Sequence, residues 1–208
     1  MKKAYRWTDV LFIGGVWGIL EATLGYALQF LPAWISGSVM FPIGATLLML
    51  AYRRHGSSRM LVYVGIVAAA IKAINLFMPG LPPVRTYNPM IAIMMQTILV
   101  AVVLPRIEKR PIVANALALV GISVGWRVLF LLNNSLNVML TDNPIAFVMS
   151  WNNLIEFALV LGMIGAVFTI ILFEAAKRVD LKLLKVPRFN PAAALAMVTL
   201  ALLLTWFL

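Results

Sequence analysis

The stretch Gly14-Gly15-Val16-Trp17-Gly18-Ile19-Leu20-Glu21-Ala22 lies in a mainly apolar run from Thr8 to Leu31, and its reading decides the rest. Gly14, Gly18 and Ala22 recur every four residues, which puts them on one face of a helix. In lipid, such a face lets a second helix approach to backbone distance. The same run carries Glu21, a carboxylate that is costly in hydrocarbon and usually faces protein or water. A smooth seam beside an intramembrane acid predicts a membrane helix with a docking face next to a polar interior. Plain packing of the bundle on Gly14, Gly18 and Ala22 is the alternative.

Composition supports the membrane reading. Of the 208 residues, 63% are hydrophobic and 12% charged, with a mean hydropathy of +0.98, outside the range of soluble domains. Seven apolar segments are long enough to cross a bilayer, at roughly 8–31, 36–53, 60–78, 88–105, 112–133, 145–176 and 191–207. The expected fold is all-α: a polytopic transmembrane bundle with a six-helix core and a seventh C-terminal span. Residues 1–177 form the bundle, 178–190 an amphipathic strip on the cytoplasmic surface, and 191–208 the additional span. The sixth segment is too long for a simple crossing and is expected to begin with a surface or re-entrant piece around Asp142-Asn143-Pro144. Most prolines fall between segments or at their edges, with Pro42 inside the second as an expected kink. The first run lacks a cleavage site and is expected to stay in the mature protein.

The formal charge of +10 is organised by topology and gives no reason to invoke nucleic acid. Fourteen of the seventeen Lys and Arg residues fall at the N-terminus, in the 53–59 and 106–110 turns and in 177–188, all on one side. Arg85 alone lies on the other, and Lys72 and Arg127 are within spans. By the positive-inside rule the N-terminus is cytoplasmic and the last residue external. The expected location is the cytoplasmic membrane.

On this topology the polar residues gather at one depth. Lys72 and Asn75 fall toward the outer side of the third span, Gln96 near the middle of the fourth, and Arg127 in the outer half of the fifth. Trp151, Asn152, Asn153 and Glu156 open the sixth from outside. Charges in lipid are by default a functional-site hypothesis, so these eight residues are the expected substrate-binding set. Lys72 and Arg127 would meet anionic or carbonyl groups, and Asn152, Asn153 and Gln96 would form hydrogen bonds. Trp151 would stack, and Trp126, Tyr87 and Phe147 could add walls. Glu21 and Glu156 would hold the cations or face a cationic ligand. The plainer alternative pairs Lys72 and Arg127 with Glu21 and Glu156 as structural bridges, with the aromatics as interfacial anchors.

Several chemistries are excluded. There is no cysteine, and His55 is the sole histidine, so thiolate and zinc sites lack ligands. No P-loop and no H-E-x-x-H string is present. Gly121-Ile122-Ser123-Val124-Gly125 spells a nucleophile elbow, but it sits inside an apolar helix without a histidine base, and reads as small-residue packing. No cofactor or metal is expected.

This outline resembles the substrate-capture (S) subunits of energy-coupling factor (ECF) transporters, six-helix membrane proteins with cytoplasmic termini and an external vitamin site. Their first helix carries an A-x-x-x-A pattern that docks on a transmembrane coupling subunit driven by two ATPases. The resemblance covers residues 8–177 as architecture. It implies that Gly14, Gly18 and Ala22 dock a partner and that coupling and ATPase subunits supply the energy. The chain departs from the family in its Gly-led stripe and its seventh segment. The expected function is therefore vitamin uptake without catalysis: a membrane transport subunit binding a small, water-soluble, vitamin-like molecule in an outward cavity. An intramembrane enzyme acting on a lipid-linked substrate and a non-catalytic scaffold are the rival classes.

Overall fold

The structure is a computed structural model, described for residues 6–31, 33–107, 110–141, 150–179 and 190–208. Seven helices and no strand are found among these residues. They are α1 (Trp7–Ala27), α2 (Ala33–His55), α3 (Ser58–Lys72), α4 (Val84–Ile107), α5 (Ile112–Thr141), α6 (Trp151–Arg178) and α7 (Pro191–Phe207). Helices α1 to α6, with a 3₁₀ extension of α3, are long and apolar enough to span a membrane, whereas α7 has 17 residues. The chain is thus a multi-pass membrane protein by length and composition.

Local chemistry sets the boundaries. Gly56, at φ 66°, makes the tight turn after α2, where a left-handed backbone conformation favours glycine. Ser57 then caps α3 by accepting from the Met60 amide at 3.4 Å. Beyond Lys72 the chain tightens into a 3₁₀ segment, Ala73–Phe77. Ser150 caps α6, accepting from the Asn153 amide at 3.2 Å. Asn190 caps α7, accepting from the Ala193 amide at 2.6 Å, with Pro191 in the first turn, where no amide donor is needed.

Three expectations change. Helix α5 continues to Thr141, because Asn133, Asn134 and Asn137 do not break a helix as Gly or Pro would. Helix α4 runs through Pro89 and Pro105, which were expected to mark edges. Pro89 leaves the Arg85 carbonyl without its helical amide donor, a loss that membrane helices tolerate when neighbours cover it. Helix α6 starts at Trp151. The expected re-entrant piece at Asp142–Pro144, the wall residue Phe147 and nearly all of the surface strip lie outside the described residues.

The helices close in the order α1, α3, α4, α5, α6, α2, with α2 also touching α1, α3 and α4, and α7 lies outside on α1 and α3. Glycines set the close approaches. A Cβ on Gly44 would lie 2.7 Å from the Trp17 ring, and one on Gly65 would lie 2.5 Å from Thr97 Oγ1. The seam of α1 is filled in the same way. A Cβ on Gly14 would meet Val67 of α3 at 2.6 Å, and one on Gly18 would meet Ile71 of α3 at 2.7 Å and Ala201 of α7 at 3.1 Å. One on Gly15 would meet the backbone of Met197 at 2.9 Å. Ala22 is buried as well. Gly14, Gly18 and Ala22 are therefore covered by the chain's own helices, which corrects their expected role as an open docking face. Because Gly15 meets Met197 and Gly18 meets Ala201, α7 runs parallel to α1.

Candidate functional site

The half of the bundle away from the charged turns encloses a cavity of about 370 Å³. All six core helices contribute to its wall. Helix α1 brings Glu21 and Gly25, α2 brings Ser36, Gly37 and Met40, and α3 brings Lys72. Helix α4 supplies Val84, Arg85, Asn88, Pro89, Ala92, Ile93 and Gln96; Trp126 and Phe130 come from α5, and Phe157 from α6. Arg85 is exposed and Lys72 and Gln96 are buried, so the polar groups span the mouth and the interior.

Glu21 is oriented by its own helix. Trp17 Nε1 donates to Glu21 Oε1 at 3.3 Å, and Gly25, one turn on, leaves Oε2 room, since a Cβ there would lie 3.2 Å away. Lys72 lies within electrostatic range of Glu21. Among the described residues Lys72 closes no ion pair within 4 Å and donates to no protein acceptor. The cavity thus holds a carboxylate and an ammonium whose bonding capacity is not used up by each other.

The aromatic wall is one interlocked group. The Trp126 ring lies 6.2 Å from Phe130 and 6.2 Å from Phe157, both edge-on, and 6.0 Å from Phe41. Gly37 opens a notch against it, because a Cβ there would lie 2.9 Å from Trp126 Cη2. Such rings offer a flat apolar surface with a defined edge geometry.

Arg127 stands behind this wall. It is fully buried and sits between Trp126 and Phe157, its Cζ at 4.7 and 4.9 Å from the two ring centres, within cation–π range. Its Nη2 donates to Ser38 Oγ at 2.8 Å and its Nη1 to the Phe157 carbonyl at 3.3 Å. That carbonyl belongs to a widened π turn, Glu156–Val160, where the Leu161 amide bonds to the carbonyl of Glu156 five residues back. A π turn releases a carbonyl from the regular ladder for an outside donor. Ser38 Oγ in turn donates to Leu161 O at 3.3 Å, and Ser123 Oγ donates to Gly162 O at 2.7 Å. Helices α2 and α5 are therefore bonded to the backbone of α6. Within the Gly121–Gly125 string it is thus Ser123 that ties to α6, whereas a Cβ on Gly121 would meet nothing within 4 Å.

The expected binding set divides accordingly. Lys72 and Gln96 line the cavity together with Glu21. Asn75 is buried in the 3₁₀ segment after α3, its Oδ1 without a partner, and does not line the cavity. Arg127 is near but behind the wall, and its partners are carbonyl, hydroxyl and ring, with no carboxylate within ion-pair distance among the described residues. Trp151, Asn152, Asn153 and Glu156 are exposed on α6 and absent from the wall, to which that helix contributes Phe157. Tyr87 is half exposed and likewise outside the wall. Sequence reasoning missed Ser36, Gly37, Asn88 and Phe157 and counted Arg85 only as a loop charge. The clustering of Arg85, Asn88 and Pro89 just before Gln96 was the available signal.

Among the described residues no group of three or more His, Asp and Glu could hold a metal ion. The sole histidine, His55, lies at the opposite end of the bundle, 3.8 Å from Asp9. The chain matches no family model, no curated protein and no solved structure.

Proposed function

We propose that the chain is a membrane substrate-capture protein that holds a small, water-soluble, vitamin-like molecule in this cavity and acts as a transport component of the energy-coupling factor kind. One observation carries the reading: Glu21, Lys72 and Gln96 converge from three helices on a space of about 370 Å³ walled by Trp126 and Phe157. That volume lies in the range of small-molecule sites, roughly 300–1,000 Å³, and a mainly apolar wall with a few placed polar groups is their usual chemistry. A structural bundle would be expected to fill such a space with side chains, since interiors pack to crystal density. Energy would come from partner subunits, because no nucleotide motif is present. Their docking face would lie elsewhere than Gly14, Gly18 and Ala22, which α3 and α7 cover.

Native mass spectrometry of the chain, extracted gently from its membrane, tests the proposal. A stoichiometric polar metabolite should be retained and should be lost in Gln96→Leu, which keeps the volume and removes the hydrogen bonds. A chain free of any small molecule, and unable to take one up from a membrane-free cell extract, would sink the capture reading.

A further inference from the structure

We propose that the molecule held in the cavity is an organic anion, its carboxylate-class group bound between Lys72 and Arg85 with its ring against Trp126. This rests on the capture reading above. The wall contains one carboxylate, Glu21, against two cations, Lys72 and Arg85. Neither cation forms an ion pair among the described residues. A third positive charge stands directly behind: Arg127 Nη2 is 3.6 Å from the point that a Cβ on Gly37 would occupy, and Gly37 is itself wall. The partners of Arg127 are a hydroxyl, a carbonyl and two rings, which solvate its charge without cancelling it. In a medium of low dielectric an uncancelled charge acts over several ångströms, so the cavity is positive beyond the groups that touch it.

Hydrogen-bond capacity points the same way. Among the described residues the buried Nε1–H of Trp126, a wall residue, and the Nε–H of Arg127, behind the wall, have no acceptor. Buried donors without acceptors are uncommon and call for a partner. The unmatched acceptors nearby, Asn75 Oδ1 and Thr86 Oγ1, are not on the wall. On the described wall the surplus is of positive charge, two cations against Glu21, and Trp126 adds an unmatched donor, so an anion with acceptor oxygens matches on both counts. Glu21 faces the remaining part of the molecule and selects a donor there.

Thermal-shift and tryptophan-fluorescence titrations of the full chain in detergent test this with benzoate and nicotinate, their neutral isosteres benzamide and nicotinamide, and the cation benzylamine. The carboxylates should bind and raise the melting temperature, while amides and amine at equal concentration should not. Arg85→Gln, at an exposed position that leaves the core intact, should weaken the carboxylates by about tenfold, as loss of a charged hydrogen bond does. Lys72→Gln should do the same. Binding of benzylamine or of the amides as tight as that of the carboxylates, or carboxylate binding that ignores Arg85→Gln, would overturn the anion assignment and leave capture standing. Binding of no probe from any of the three classes would likewise overturn the anion assignment, and capture itself is then decided by the native mass spectrometry above.

Discussion

Arg127 carries a full charge into the middle of the bundle and, among the described residues, meets Ser38, the Phe157 carbonyl and two ring faces but no acid. Its removal deletes two charge-assisted hydrogen bonds without stranding a carboxylate. Arg127→Gln should therefore lower stability by about 1.5–3 kcal/mol, the range for hydrogen bonds to charged groups. Glu156→Gln alone should stay within about 0.5 kcal/mol, as exposed substitutions do, and should give no rescue in the double mutant. Thermal unfolding of the three variants separates this arrangement from the ion pair that the sequence also allowed; rescue by Glu156→Gln would restore the pair. The presence of Arg127, Lys72, Gln96 and Glu21 was legible because charges and amides stand out in apolar runs. The partners of Arg127 were not legible, since a carbonyl freed by a π turn has no signature in side-chain identity.

Helix pairing turns on which side of α1 each glycine faces. Gly14 lies against the Val67 side chain of α3, whereas Gly15 lies against the Met197 backbone of α7. Gly15→Ala should cost about 1–3 kcal/mol by overpacking, because backbone cannot move aside as a rotamer can. That cost should vanish in a chain ending at Arg178, which lacks α7, while the cost of Gly14→Ala should persist in it. Melting curves of the six proteins, two parents and four variants, in micelles give the comparison, and equal costs in both backgrounds would show that α7 does not sit on Gly15. The seam itself was readable from the spacing of Gly14, Gly18 and Ala22. Its occupant was not, because lipid removes the hydrophobic drive that sorts helices in water and a smooth face fits any close neighbour.

The molecule as a whole has its basic turns at one end and its cavity at the other. The charge bias predicts a cytoplasmic N-terminus, and α7 runs parallel to α1. The chain has no natural cysteine, so single cysteines at Pro111 and Trp151, both exposed, are clean reporters. In sealed cells an impermeant maleimide should label Trp151→Cys and spare Pro111→Cys, and a tag after Leu208 should be reached from outside. Labelling of Pro111→Cys from outside would invert the molecule and close the cavity to external solutes. Helix number was legible from hydropathy. The exact inward face of α6 was not, which is why Trp151, Asn152, Asn153 and Glu156 were placed in a cavity that starts one residue later, at Phe157.

The π turn of α6 can also be understood as a phase shift written into chain length. One surplus residue between Glu156 and Val160 turns everything on its outer side by about 100° relative to an uninterrupted α-helix. Deleting the exposed Leu159 should restore the regular ladder, withdraw the Phe157 carbonyl from Arg127 and swing Trp151–Ile155 around the axis. Such a change is quantised: no series of point substitutions reaches it by degrees. With Phe157 on its wall, the cavity would change shape in steps of a single residue.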